Sequence, residues 1–416
     1  MRIPTFLILI IAYLATSCNS KQEIVLQVTN PLDQQRNDAS IVLTRGEITD
    51  WIEIPSGKVP VLTLENGIHI PCQLDDINGD GEWDELFAIV DLKPSDQKNI
   101  LLTMISPEEY PAFKVRTNVR LGANEPGYPE LLKADRLEGI SFHNYDHVTG
   151  AAFQMEGPAW ENDLVGFRNY LDQRNGLDIF GKLTSEMILD SVGVAGRQSY
   201  HQPDAWGMDV LKVGTSLGSG GIGYRYNDSI YRVGDNGSGT YELLFEGSQR
   251  SRINLSFTNW KVEEEVLDVV QQIEIAAGKY YYESLVSYTG SSEILELVPG
   301  IVNMKSDTLY VLELNERFSA LLTHDHQSED NTLLAMALMV PSALLNEYGE
   351  TNETGEGVTQ TYYAALKAQS DQPVPYRFYS LWELEDSRWS SLEEITKFLK
   401  SEADCWANEV NIQTLP

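Results

Sequence analysis

The chain is poor in cysteine, in positive charge and in long apolar runs, and each shortage removes a class of protein. Its three cysteines, Cys18, Cys72 and Cys405, form no CxxC pair and no Cys/His cluster with zinc spacing, so a structural zinc module is not expected. Cys72 and Cys405 read as unpaired, core-type thiols. Lys and Arg number 30 against 62 Asp and Glu, a formal net charge of −32. Such a surface repels phosphates and anionic headgroups, so no nucleic-acid partner is expected. No GxxxxGK[ST] motif is present, which excludes a P-loop, and no organic cofactor is expected. The longest apolar run, Phe6 to Leu14, falls short of the roughly 20 residues a spanning helix needs.

That run follows Arg2 and leads into Ala15-Thr16-Ser17-Cys18, the order of an export signal with its apolar segment and small-residue cleavage site. It resembles a bacterial lipoprotein signal over residues 1–18. The implied mature protein is lipidated on Cys18 and touches a cell-envelope membrane, periplasmic or outer-surface, through that anchor alone.

What the sequence does hold is a large supply of core material, 42% hydrophobic and 10% aromatic, enough for two domains. Short segments rich in Val, Ile and Leu, such as Glu23 to Thr29, Val59 to Leu64 and Leu86 to Leu92, are separated by Asn-Pro, Asn-Gly and Gly turn signals. They predict a small β-sandwich over residues 19–115. Strand-like segments then continue at about ten-residue spacing, among them Arg252 to Trp260, Leu267 to Ile275 and Thr332 to Met339. They predict a large antiparallel sandwich over 116–416. The clearest helix runs from Ser391 to Asp404, capped by Ser390 or Ser391 with an acidic first turn.

Two stretches carry chemistry. The first, Asp76-Ile77-Asn78-Gly79-Asp80-Gly81-Glu82-Trp83-Asp84-Glu85, alternates oxygen ligands and places glycine at its sixth position. That spacing suits a loop wrapped around structural Ca²⁺, with Asp76, Asn78, Asp80, Glu82, Asp84 and Glu85 as candidate ligands. The second runs from His143-Asn144-Tyr145-Asp146-His147 through Trp160-Glu161-Asn162-Asp163, Phe167-Arg168 and Asp178 to Lys182. It ends at Tyr200-His201, Trp206, Asp209 and Lys212, followed by a Gly-rich stretch from Gly214 to Gly223. Three of the six histidines fall here, and histidine transfers protons near neutrality. His324 and His326 stand at alternate positions, as in an exposed strand.

Trp160-Glu161-Asn162-Asp163, Asp178-Ile179-Phe180-Gly181-Lys182, Trp206-Gly207-Met208-Asp209 and the Asp80-to-Leu86 loop resemble a Bacteroidota lipoprotein family known as domain of unknown function family 4861. The resemblance covers nearly the whole mature chain. It implies polysaccharide degradation, with one branch an oligosaccharide dehydratase acting on ulvan-lyase products, and a galactose-mutarotase-like supersandwich as the larger domain. An anionic oligosaccharide is then the expected substrate. The chemistry asks for a base, an acid and a cation on the uronate carboxylate. His201 or His143 would be the base; Tyr145, Tyr200 or the other histidine would be the acid. Arg168 would clamp the carboxylate, with Lys182 or Lys212 as alternatives. Trp160 and Trp206 would stack on sugar, while Glu161, Asp163, His147 and Asp209 would orient groups or bind hydroxyls. A glycoside hydrolase and a noncatalytic glycan binder are the competing classes.

Overall fold

The computed structural model describes residues 23–123, 131–140, 153–172, 174–194, 197–234 and 236–415. Cys18, His143, Tyr145 and His147 lie outside the described residues. The fold is mainly antiparallel β throughout.

The first unit packs a sheet built on Glu23–Thr29, Gln97–Ile105 and Val59–Leu64 against a three-stranded sheet of Arg36–Thr44, Glu85–Leu92 and Cys72–Asp75. Alternating inward residues such as Leu26, Val28, Ile100 and Leu102 fill the space between. The last strand of the chain, Asn411–Leu415, returns to this unit and pairs with Glu23–Thr29, Val25 opposite Leu415. The expected boundary at 115/116 therefore does not enclose residue 411 onward. The returning strand covers an edge that would otherwise expose a row of unpaired backbone groups. A short helix, Arg45–Trp51, opens on a capping box between Thr44 and Glu47, a Thr-x-x-Glu signature readable in the sequence.

The second unit is a two-layer sandwich. A nine-stranded sheet, running from Arg136–Ile140 at one edge to Tyr310–Glu313 at the other, forms one layer. Two five-stranded sheets form the other, seamed by a bridge between Leu177 and Gly218. One apolar core joins all three. The strand Leu334–Pro341 is apolar on both faces because both are covered. Leu334, Met336 and Leu338 enter that core, while Ala335, Ala337 and Met339 meet Ile395, Leu399 and Ala403 of the helix Leu392–Ala407. Small alanines let the helix lie close. Ser391 is its cap, accepting from Glu394 N at 3.3 Å.

The Gly-rich stretch serves this seam. At Gly218, φ is +71° and a Cβ would stand 1.9 Å from the Leu177 carbonyl oxygen; at Gly220 it would stand 2.3 Å from the Tyr282 hydroxyl. The close approach that these glycines permit is to other parts of the protein.

The two units are joined by buried ions. Arg250 Nε donates to Asp75 at 2.8 Å and its Nη2 to Glu85 at 2.6 Å, while Gln73 Oε1 accepts from the amides of Gln249 and Arg250. Arg116 spans Asp38 of the first unit and Asp163 of the second. Removing one partner of a buried pair leaves a charge without compensation, at about 3–5 kcal/mol. Arg250→Met should accordingly lower the first urea unfolding midpoint by that order of stability, with Lys93→Met, on the exposed surface, as an unaffected control.

Candidate functional site

Most of the second stretch falls on one sheet. Its strands, in spatial order, are Gly207–Asp209, Leu177–Lys182, Val165–Asn169, Ala159–Asn162 and Thr117–Arg120. Arg168 lies opposite Asp178 and Ala159, Gly166 opposite Phe180 and Glu161, and Phe180 opposite Asp209. Side chains alternate along strands, so the register sorts the residues. Glu161, Arg168, Asp178, Phe180, Lys182 and Asp209 share one face. Trp160, Phe167 and Ile179 take the other and enter the core. Trp160 is 1% exposed, so it offers no face to a sugar, and its expected stacking role is corrected.

The charged face is covered by the segment between Leu183 and Trp206. Ile188, Leu189 and Val192 pack with Met155 and Phe180, and Tyr200 and Trp206 close the edge. Glu161 fastens this cover: its Oε1 accepts from the amides of Ile188 (2.7 Å) and Leu189 (2.9 Å) and from Asn118 Nδ2. Its Oε2 is bonded to Lys182, whose Nζ also donates to the Asn162 carbonyl. Burial pushes the Glu161 carboxyl up and the Lys182 ammonium down, against their mutual attraction. This pair is saturated and sealed. Lys182 as carboxylate clamp and Glu161 as substrate ligand are therefore both corrected. Asp163 is corrected likewise, its oxygens held by Arg116 and the Gly278 amide.

Arg168 occupies the centre and is fully buried. Its Nη2 donates to Asp178, to Asp209 at 2.7 Å and to the Tyr170 hydroxyl at 2.6 Å; its Nη1 donates to the Met155 carbonyl at 3.2 Å and lies 3.5 Å from Glu156. Its Nε has no partner but is buried with the rest of the group, so the fork presents no open edge to a substrate carboxylate. The clamp assignment is corrected: Arg168 acts on its protein neighbours. Burial, and then the adjacent Asp209 charge, push Asp178 up to about 6. Met155 and Glu156 have φ of +54° and +65°, a conformation that costs non-glycine residues energy and clusters at functional sites.

The cluster reaches solvent at His201. Asp209 Oδ2, bonded inward to Arg168, also meets His201 Nδ1 at 3.2 Å. The His201 side chain is 59% exposed. With Nδ1–H donating to Asp209, Nε2 is turned away from the carboxylate and available to a ligand. The hydrogen bond to Asp209 raises the His201 pKa above its ordinary value near 6.5. Tyr200, its ring 4.3 Å from His201 and 5.1 Å from the Arg168 guanidinium, is held protonated by burial. Trp206 packs edge-on against Phe180 and is half-buried. Lys212 is exposed and outside this group. Tyr170 and Asp178, which close the cluster from the inside, carried no expected role. The hairpin register that sets Asp178 opposite Arg168 is the signal that would have found them.

The acidic loop is arranged differently from the expectation. Asp76 accepts from the amides of Gly79, Asp80 and Gly81, Asn78 from that of Asp80, Asp80 from that of Glu82, and Asp84 from those of Ile77 and Asn78. Glu82 pairs with Arg45 and Glu85 turns to Arg250, which corrects both as calcium ligands. Among the described residues no three acidic, histidine or cysteine side chains are grouped so that they could hold a metal ion. Side-chain-to-backbone turns account for the loop's shape. His324 and His326 are each satisfied by a backbone carbonyl, of Trp389 and Asn331.

A mainly-β protein with a buried Arg–Asp cluster ending in an exposed histidine is thus defined. The chain belongs to the family described as "Domain of unknown function (DUF4861)", whose profile matches residues 28–412. Uncharacterized protein P7 of Formosa agariphila is 22% identical over 261 residues, covering 56% of this chain and 65% of that protein. Among solved structures, an α-mannosidase from Enterococcus faecalis V583 aligns at TM-score 0.47 and 8% identity, over 95% of this chain and 46% of that one. A putative aldose 1-epimerase from Klebsiella pneumoniae aligns at TM-score 0.31 and 9% identity, over 69% and 95%. The chain thus spans less than two thirds of the curated relative and under half of the mannosidase.

The His201–Asp209 contact has a spectroscopic consequence. An imidazolium paired with a carboxylate stabilises the fold fully below the ordinary histidine pKa, and this contribution is lost as pH rises through the raised value. At this exposure the effect on stability is small, so the titration itself is the measurement. Asp209→Asn should move the His201 NMR titration midpoint to lower pH; an unchanged midpoint refutes the pairing.

Proposed function

We propose that this chain is a carbohydrate-active enzyme, a carbon–oxygen lyase that removes water from the unsaturated uronate end of oligosaccharides such as those left by ulvan lyases. The observation that carries the reading is His201: a solvent-facing imidazole whose far nitrogen is held by a buried carboxylate, itself held by a buried guanidinium. This is how a protein fixes one tautomer and stabilises the imidazolium formed when the free nitrogen takes a proton.

In such a substrate the C3 hydroxyl is allylic to the C4–C5 double bond. Neutral His201 takes a ring proton from the carbon next to C3 through Nε2. The released electron pair forms a new C=C bond as the C3–O bond breaks. The hydroxyl leaves as water after receiving a proton, from the imidazolium or from the protonated Tyr200. The hydrolase alternative needs two carboxyl groups open to the bond being cleaved. Its candidates are committed: Glu161 to Lys182 and two amides, Asp163 to Arg116, Asp209 to Arg168 and His201.

With an unsaturated uronate disaccharide the expected product is lighter by one water. His201→Ala should lower kcat by at least about 10²-fold with a modest change in KM. Because the base is the neutral imidazole, kcat/KM should rise with pH through an ionisation above 6.5, and Asp209→Asn should shift that rise to lower pH. A product heavier by one water selects the hydrolase; full activity in His201→Ala removes His201 from the chemistry.

A further inference from the structure

A second feature stands apart from His201. A cleft of about 1220 Å³ opens between the strand Ser229–Arg232, the turn at Gly214-Thr215 and the segment 350–358. It is larger than the roughly 300–1,000 Å³ of a small-molecule pocket and so suits an oligomer. Its aliphatic lining is confined to Ile230 and buried Val358, beside the rings of Tyr231 and Tyr363.

The two arginines in the wall are already committed. Arg232 donates to the carbonyls of Arg174, Ser216 and Thr215. Arg174 is tied to Asp172 and Glu156 and lies 3.6 Å over the Tyr170 ring. The acids in the wall are Asp228, already paired with Arg225, Glu350, which accepts from Asn303, and exposed Glu356. A sulfate, phosphate or carboxylate would therefore gain no cation and would meet negative charge. What remains for recognition is the exposed amide of Asn352, hydroxyls of Ser229 and Thr351, and the half-buried ring of Tyr363. Those are donors, acceptors and a flat apolar surface, the combination that a polyhydroxylated ring uses.

We infer that this cleft is a second binding site and that it takes uncharged saccharide units. The inference rests on the cleft alone and stands whatever reaction His201 carries. The full chain is titrated calorimetrically with xylotetraose, mannotetraose and cellotetraose, and with hyaluronan tetrasaccharide as the anionic counterpart; hydrogen exchange locates the contact. At least one uncharged tetrasaccharide should bind and slow exchange in 228–234 and 350–358. Asn352→Ala with Tyr363→Ala should weaken that binding at least about tenfold, and His201→Ala should leave it unchanged. Hyaluronan tetrasaccharide should protect neither segment in the wild type and should gain affinity in Glu356→Lys, whose position is exposed and safe for folding. Three results overturn the inference: no uncharged tetrasaccharide binding up to about 10 mM, protection of these segments by hyaluronan tetrasaccharide in the wild type, or binding indifferent to both cleft substitutions. None of them bears on the mass change that tests the lyase reading.

Discussion

One cation with no access to water organises the functional face of this protein. Taking a guanidinium out of solvent costs several kcal/mol even after relaxation, and Arg168 is offset by two carboxylates, a phenol and a carbonyl drawn from three stretches of chain. Each of those stretches is fixed by the bond it makes. The strand Gly207–Asp209 is placed through Asp209, the hairpin through Asp178 and Tyr170, and the unusual turn at Met155 and Glu156 through its carbonyl. The left-handed backbone there is the sort of strain that persists only where surroundings over-determine it. Loss of Arg168 would free all of them together.

A second ion pair does a different job on the same face. Glu161 and Lys182 hold down the segment that roofs the sheet, through the amides of Ile188 and Leu189. The roof ends in Tyr200 and His201, so the exposed imidazole is carried on an element anchored at both ends by buried charge. Three of the acids first read as ligands for sugar are in this sense ligands for protein. What they supply to the proposed chemistry is the fixed position of one histidine.

The strand pattern of the fold was legible because turn signals and β-branched runs are local. The site was legible only in part. His201 and Asp209 stood out by residue type, but Trp160 and Arg168 were misread, and the reason is specific. A half-buried strand shows alternation of apolar and polar residues, and its polar side is assumed to face water. Here Ala159–Asn162, Val165–Asn169 and Leu177–Lys182 are buried on both faces, so the polar side faces a roof. Nothing within those strands announces the roof; it comes from residues 183–194 and 197–206. The return of Asn411–Leu415 to the first unit escaped for a related reason, since pairing Gln27 with Gln413 depends on contacts 386 residues apart.

The charge of the chain constrains how these parts can work together. At −32 overall, the protein's own field opposes the approach of an anionic sugar. With Arg168 sealed and both cleft arginines committed, the described cation at the mouth of the cluster is His201 in its protonated form, favoured by Asp209. The same protonation that would attract a carboxylate removes the base that the proposed elimination needs. Binding and chemistry thus pull the imidazole in opposite directions, and Asp209 sets the balance. A cleft that holds uncharged units would relieve the conflict, because affinity gathered there does not depend on the state of His201. The two places are also physically joined: the Tyr170 ring lies beneath Arg174, which lines the cleft, and its hydroxyl is bonded to Arg168. Movement of Arg174 on filling the cleft is therefore one ring away from the guanidinium that holds Asp209.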